Sequence, residues 1–280
     1  TMLLGLAHHL AKMKNFDGTV HLIFQPAEED ISGAKLMVEE GLFKRLNPNF
    51  IFALHNIPGM DVGQVCVRSG AMTAAVDIVD VTIRGLGGHG AIPHQARDPI
   101  VAASSAIMAL QTAISRNTDP LEAAVVTVGS IHGGVIATII PETVELKLGV
   151  RTVSKETGAL MAKRIPEILR AQAASFGCEA IVNYGEGISY PPCFNDPAAA
   201  KLVKDTALSL GQPESKIDMR GPFMFSEDFA FMLEEAKGCY FGIGNGQSKS
   251  LHDASYDFND ELLEKGVSYW AKLVEQYLGA

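Results

Sequence analysis

Apolar positions along the chain fall into distinct rhythms. Leu3, Leu6, Leu10 and Met13 recur at helical spacing and predict a helix over residues 1–14. Residues 19–25, Thr-Val-His-Leu-Ile-Phe-Gln, read as a buried strand. A helix is expected around 33–44 and a second apolar strand at 50–54. Helices alternating with near-continuous apolar strands predict an α/β layer with a mostly parallel sheet.

From about 72 to 185 the order changes. The pattern predicts a strand at 75–84, a glycine-rich turn at 85–90, a helix at 99–116 and strands at 123–132 and 142–151. A helix at 155–176 and a strand at 179–184 complete it. That is βαββαβ, the split ferredoxin-like order. Helical patterns then return at 197–210, 226–236 and 260–278, around a strand at 239–243. The expected fold is therefore an α/β domain in two segments, 1–71 and 186–280, interrupted by a ferredoxin-like domain at 72–185.

Composition narrows the function classes. The 280 residues are 47% apolar and 20% charged, with a formal net charge of −9. An acidic balance argues against nucleic acid or an anionic membrane as the main partner. No run approaches the roughly 20 apolar residues that span a bilayer, and no signal peptide is visible. Cys66, Cys178, Cys193 and Cys239 are scattered, with no CxxC pair, so a reducing, cytoplasmic setting is expected.

Four places could carry chemistry. Gln25-Pro26-Ala27-Glu28-Glu29-Asp30 follows an apolar strand, where open α/β sheets place their sites. Neighbouring carboxylates repel, and a cation would stabilise them while letting one act as ligand and another as general base. A solvated loop before a helix would carry the same acids. His55, in Leu54-His55-Asn56, also ends a strand. Gly87-Gly88-His89-Gly90 presents a histidine on a tight turn, and His252 lies in a polar loop before the last helix, where Asp260 could be an N-cap. Imidazole with carboxylate suits zinc, manganese or cobalt. His8, His9, His21 and His132 read as structural.

Taken together, QPAEE (25–29), ALHNIPG (53–59), GGHGAIPH (87–94), DPIVAASSAIMALQ (98–111), GVRT (149–152), YPPCFND (190–196), SEDFAF (226–231) and LHDASYDFND (251–260) give the chain a resemblance to the peptidase M20 family of metal-dependent amidohydrolases. The similar subgroup contains hippurate hydrolase, N-acyl-amino-acid amidohydrolase and auxin-conjugate hydrolases. The resemblance implies a two-metal site (zinc, manganese or cobalt) in the α/β domain and a ferredoxin-like lid that dimerises. It implies Glu28 as general base, Glu29, His55 and His252 as metal ligands, and His89 as the lid histidine acting on the transition state. Arg151 would hold the substrate carboxylate. Thr138 stands where the family usually has an Asn that contacts substrate.

The family also carries a Cys and a His ligand just ahead of the segment matching TMLLG. This chain begins after that point, so it is expected to lack the family's N-terminal part and those two ligands. The implied activity is hydrolysis of the amide bond of an N-acyl amino acid, a small-molecule substrate. A catalytically inactive dimerising module and a dipeptidase on the same scaffold are the competing readings.

Overall fold

The computed structural model describes residues 1–29, 33–217 and 220–279. Along the chain its main elements are α1 (Met2–Met13), α2 (Gly33–Glu39), α3 (Leu42–Leu46), β1 (Ile51–Ile57), β2 (Val65–Cys66), β3 (Gly70–Ala71), β4 (Ala75–Arg84), β5 (Gly88–His89) and α4 (Pro99–Asn117). There follow β6 (Ala124–Gly133), β7 (Ile139–Ile140), β8 (Thr143–Thr152), α5 (Lys155–Ser175), β9 (Glu179–Tyr190), β10 (Phe194–Asn195), α6 (Pro197–Ser209), α7 (Ala230–Glu235), β11 (Gly238–Gly244) and α8 (Glu261–Leu278). They group into two compact units. One comprises Thr1–Met72, Cys193–Phe223 and Glu227–Ala280; the other comprises Thr73–Pro192 and Met224–Ser226.

In the first unit a three-stranded sheet has the order β1-β11-β2, with β1 parallel and β2 antiparallel to β11. Every residue of β11 is buried. Its side chains alternate between faces. Cys239 and Phe241 enter a core with Leu6, Leu10, Val203, Tyr269 and Trp270 from α1, α6 and α8. Tyr240 enters another with Ala34, Leu42 and Met232 from α2, α3 and α7. Helices α1 and α8 pack closely because Gly266 has no side chain; a Cβ there would collide with the Met2 sulfur.

Several expectations fail in this unit: the helix expected over 226–236 begins only at Ala230, and the sheet is mixed instead of mostly parallel. Residues 19–25 form no strand ladder. Their apolar side chains still pack, Val20 and Leu22 on one core and Ile23 on the other. A ladder needs a neighbouring backbone within about 4.8 Å. Instead, Ile23, Phe24 and Gln25 line a cleft of about 560 Å³ that β1 residues 51–56 also line. The apolar pattern reported side-chain burial and not pairing. The helix expected over 33–44 is also broken into α2 and α3, because Gly41 adopts a left-handed φ of 85°.

The second unit is a four-stranded antiparallel sheet in the order β6-β8-β4-β9, covered by α4 and α5. Its core contains Val79, Ile83, Leu110, Leu146, Leu148, Met161, Ile165 and Leu169. Asp98 caps α4 by accepting from the N–H groups of Ile100 and Val101, with Pro99 as the first helical residue. Ser154 caps α5 through the Thr157 N–H. Strand β9 runs six residues past the expected end at 184. Residues 185–188 loop out between the pairs Asp77–Ser189 and Val79–Tyr184, and pairing then resumes to Tyr190. Among the described residues no helix is long and apolar enough to cross a membrane.

Candidate active site

Glu28 and Glu29 sit on the segment leaving residues 19–25, and their surroundings separate them. Ala27 adopts a left-handed φ of 51°. Asp30 lies outside the described residues. Glu28 is half-buried, and burial raises its carboxyl above the ordinary range. The Asp228 and Glu29 charges raise it further, against a hydrogen bond from the Asp228 backbone N–H and the charge of His252. Glu29 is largely exposed. Its Oε1 lies 3.9 Å from His252 Nδ1.

His252 adopts a left-handed φ of 65°, unusual for a residue with a side chain. The turn is fixed just after it, where Asp253 Oδ1 accepts from the backbone N–H and hydroxyl of Ser255. His55 ends β1 opposite Gly242 of β11. Its Nδ1 is 2.8 Å from the Asn56 carbonyl oxygen. A carbonyl only accepts, so Nδ1 carries the proton and Nε2 keeps a free lone pair, the tautomer of a ligating histidine. Asn56 Nδ2 donates to the Tyr256 hydroxyl, tying the strand end of His55 to the loop of His252.

The structure thus brings Glu29 to His252, while His55 does not join them as a converged trio. The trio that does converge among the described residues is Glu28, Glu227 and Asp228, with ligand atoms within 4.8 Å of one another. Glu227 is 7% exposed and Asp228 fully buried. Burial first, and the charge of Glu28 second, push Glu227 up to about 8. Asp228 is raised by burial and held down by hydrogen bonds from Ala34 N–H and Gln25. Neither acid was singled out from the sequence, although both lie within the SEDFAF segment. Two ligand atoms 3.9 Å apart can share a cation at bond lengths of about 2.0–2.2 Å. The Glu29 carboxylate and the His252 imidazole are donor types that suit a divalent ion, and His55, in the ligating tautomer, stands apart from them.

The remaining candidates lie in the second unit. His89 pairs with Ile139 across β5 and β7, and the Gly90 N–H donates to the Thr138 carbonyl at 2.8 Å. His89 and Thr138 are therefore held side by side. His89 Nδ1 accepts from the Ala91 N–H at 3.1 Å, which places the proton of a neutral ring on Nε2 as an exposed donor. Arg151 Nη1 donates to the Met224 carbonyl at 3.0 Å and to Ser226 Oγ at 3.4 Å. Part of its guanidinium is thus engaged by its own chain.

Comparison with known proteins points to a metal-dependent hydrolase. Residues 1–276 match the model of peptidase family M20/M25/M40. The chain is 39% identical over 279 residues to hippurate hydrolase of Campylobacter jejuni, a match covering 99% of this chain and 72% of the relative. It is 36% identical over 272 residues to N-acetyldiaminopimelate deacetylase of Enterococcus faecalis, covering 95% and 70%. A dinuclear metal binding peptidase of the M20 family from Bacillus subtilis superposes with a TM-score of 0.82 at 27% identity, covering 99% of this chain and 70% of that one.

Proposed function

The chain belongs to peptidase family M20/M25/M40, and on that premise we propose that it hydrolyses the amide bond of N-acyl amino acids, small acetyl or benzoyl conjugates being the substrate class. Hippurate hydrolase and N-acetyldiaminopimelate deacetylase, both similar to it, are named for cleaving such bonds. The observation that carries the reading is the contrast between two adjacent acids. Glu28 is half-buried with a raised pKa, as suits a proton acceptor, whereas Glu29 is exposed beside His252, as suits a ligand.

Glu29 and His252, which approach each other, together with His55 as the further ligand that the family resemblance implies, would hold a divalent cation of the zinc, manganese or cobalt class, which when bound would supply Lewis acidity and acidify water. Glu28 takes a proton from the attacking water and passes it to the leaving amine. His89 donates through Nε2 to the developing oxyanion, a contribution of about 2.7–4 kcal/mol in comparable sites. Arg151 keeps guanidinium N–H groups beyond Nη1 for a substrate carboxylate. Thr138, held beside His89, contributes to substrate binding.

A second copy of the chain is the proposed protein partner, docked through the second unit. In support, the edge strand β6 exposes Val125 and Ile131 and carries no charged residue, and α4 exposes Val101 and Met108. Edge strands that stay unpaired usually carry charge or proline.

The test is Glu28→Gln, assayed on N-benzoyl and N-acetyl amino acids. Turnover should fall by about 10²–10⁴-fold with cation binding retained, since a base is removed and no ligand is. Near-normal turnover in this variant would mean that Glu28 is not the base.

A further inference from the structure

We propose that Asp228 is the positioning residue of the acid loop, holding Glu28 in place by gripping the loop at both ends. This rests on the reading of Glu28 as the base. Gln25 enters the loop, and Ala34 lies in the first turn of α2, just beyond it. Asp228 Oδ1 accepts from Gln25 Nε2, and Oδ2 accepts from the Ala34 N–H at 2.9 Å. The Asp228 backbone N–H donates to the Glu28 carboxylate. One residue therefore touches the loop at its entry, at its exit and at the group that moves the proton.

The rest of the geometry agrees. Asp228 is fully buried, so water does not replace these bonds. The loop is pinched at its neck, where Gly33 meets the Pro26 carbonyl oxygen so closely that any Cβ would collide with it. The residue type also follows. The two N–H donors come from different segments and each meets its own oxygen, an arrangement that the two oxygens of a carboxylate supply. Asparagine could satisfy both only if Gln25 turned its amide over to accept. It would then keep the grip, whereas alanine would leave the Ala34 N–H buried and unpaired.

The experiment uses the cation-loaded protein, with Asp228→Asn, Asp228→Ala and Gln25→Ala. It reads kcat and KM on an N-acyl amino acid together with hydrogen exchange of the Ala34 amide, referenced to the buried amides of β11. Asp228→Ala should speed Ala34 exchange and lower kcat per folded molecule by about 10²-fold, the scale expected for a base displaced by about 1 Å, with KM little changed. Asp228→Asn should keep Ala34 protected and restore most of kcat. A merely structural residue would lower the folded fraction without this split between kcat and KM, and without rescue by asparagine. Unchanged kcat in Asp228→Ala despite faster Ala34 exchange overturns the proposal, as does unchanged exchange. Should Asp228→Ala not fold, Gln25→Ala releases one grip, leaves Asp228 in place and decides the same question. Absence of hydrolysis in the unmodified protein would count against the functional reading instead, while Ala34 exchange would still decide whether Asp228 holds the loop.

Discussion

Glu227 has almost no water around it, and Glu28 stands beside it. Its carboxyl is raised to about 8, from an ordinary value of 4.5 in the unfolded chain. Between those two values the folded state keeps a proton that the unfolded state has released. Stability from this group is therefore complete below about pH 4.5 and is lost as pH rises toward 8, at up to about 1.4 kcal/mol per pH unit. Glu227→Gln cannot ionise and should remove that slope. Thermal midpoints of the two proteins, measured in chelator, should diverge from pH 5 to pH 8 with the variant higher at pH 8. Parallel curves would show that Glu227 does not stay protonated. The sequence could not mark this residue or Asp228. Their partners Glu28, Gln25 and Ala34 lie about 200 positions away, and no spacing rule reports a contact of that range. Glu28, Glu29, His55 and His252 could be singled out as candidates because each follows an apolar segment or lies in a polar loop before a helix.

At the scale of elements, local chemistry made α4 readable. The expected helix at 99–116 became Pro99–Asn117, because Asp98 and Pro99 form a start signal that tertiary contacts need not supply. Residues 19–25 were misread because an apolar run says which side chains are buried and is silent on whether a backbone neighbour is in reach. The strand expected to end at 184 continues instead, because the chain bulges over residues 185–188 and pairs again. Strand β6 yields a prediction of its own. The opposite edge, β9, carries Glu179 and Glu186 and that bulge, devices that discourage pairing, and β6 has no charge at all. Ile131 is half exposed, so Ile131→Lys leaves the β6–β8 ladder intact while placing an ammonium on that edge. If a second copy docks there, sedimentation should show the unmodified protein as a dimer and the variant as a monomer with the same circular dichroism. A variant that stays dimeric would exclude β6 from the interface.

At the scale of the molecule, the apolar interior divides as the chain does. The largest cluster draws all of its buried members from residues 79–180, within the second unit, and the other two draw theirs from the first. A segment that holds its whole core and both caps of its long helices has what it needs to fold alone. Residues Thr73–Pro192 expressed alone should give a soluble protein with a cooperative thermal transition and protected amides in β4 and β8. Arg151 sharpens the test. Its partners, the Met224 carbonyl and Ser226 Oγ, are absent from that fragment and present in the whole chain. Hydrogen bonds from a charged donor contribute about 1.5–3 kcal/mol, so Arg151→Ala should destabilise the second unit within the whole chain and leave the fragment nearly unchanged. A fragment lacking a cooperative transition would show that the second unit draws its stability from beyond its own core. Equal losses in fragment and whole chain would show that Arg151 acts within the sheet and not through residues 224–226.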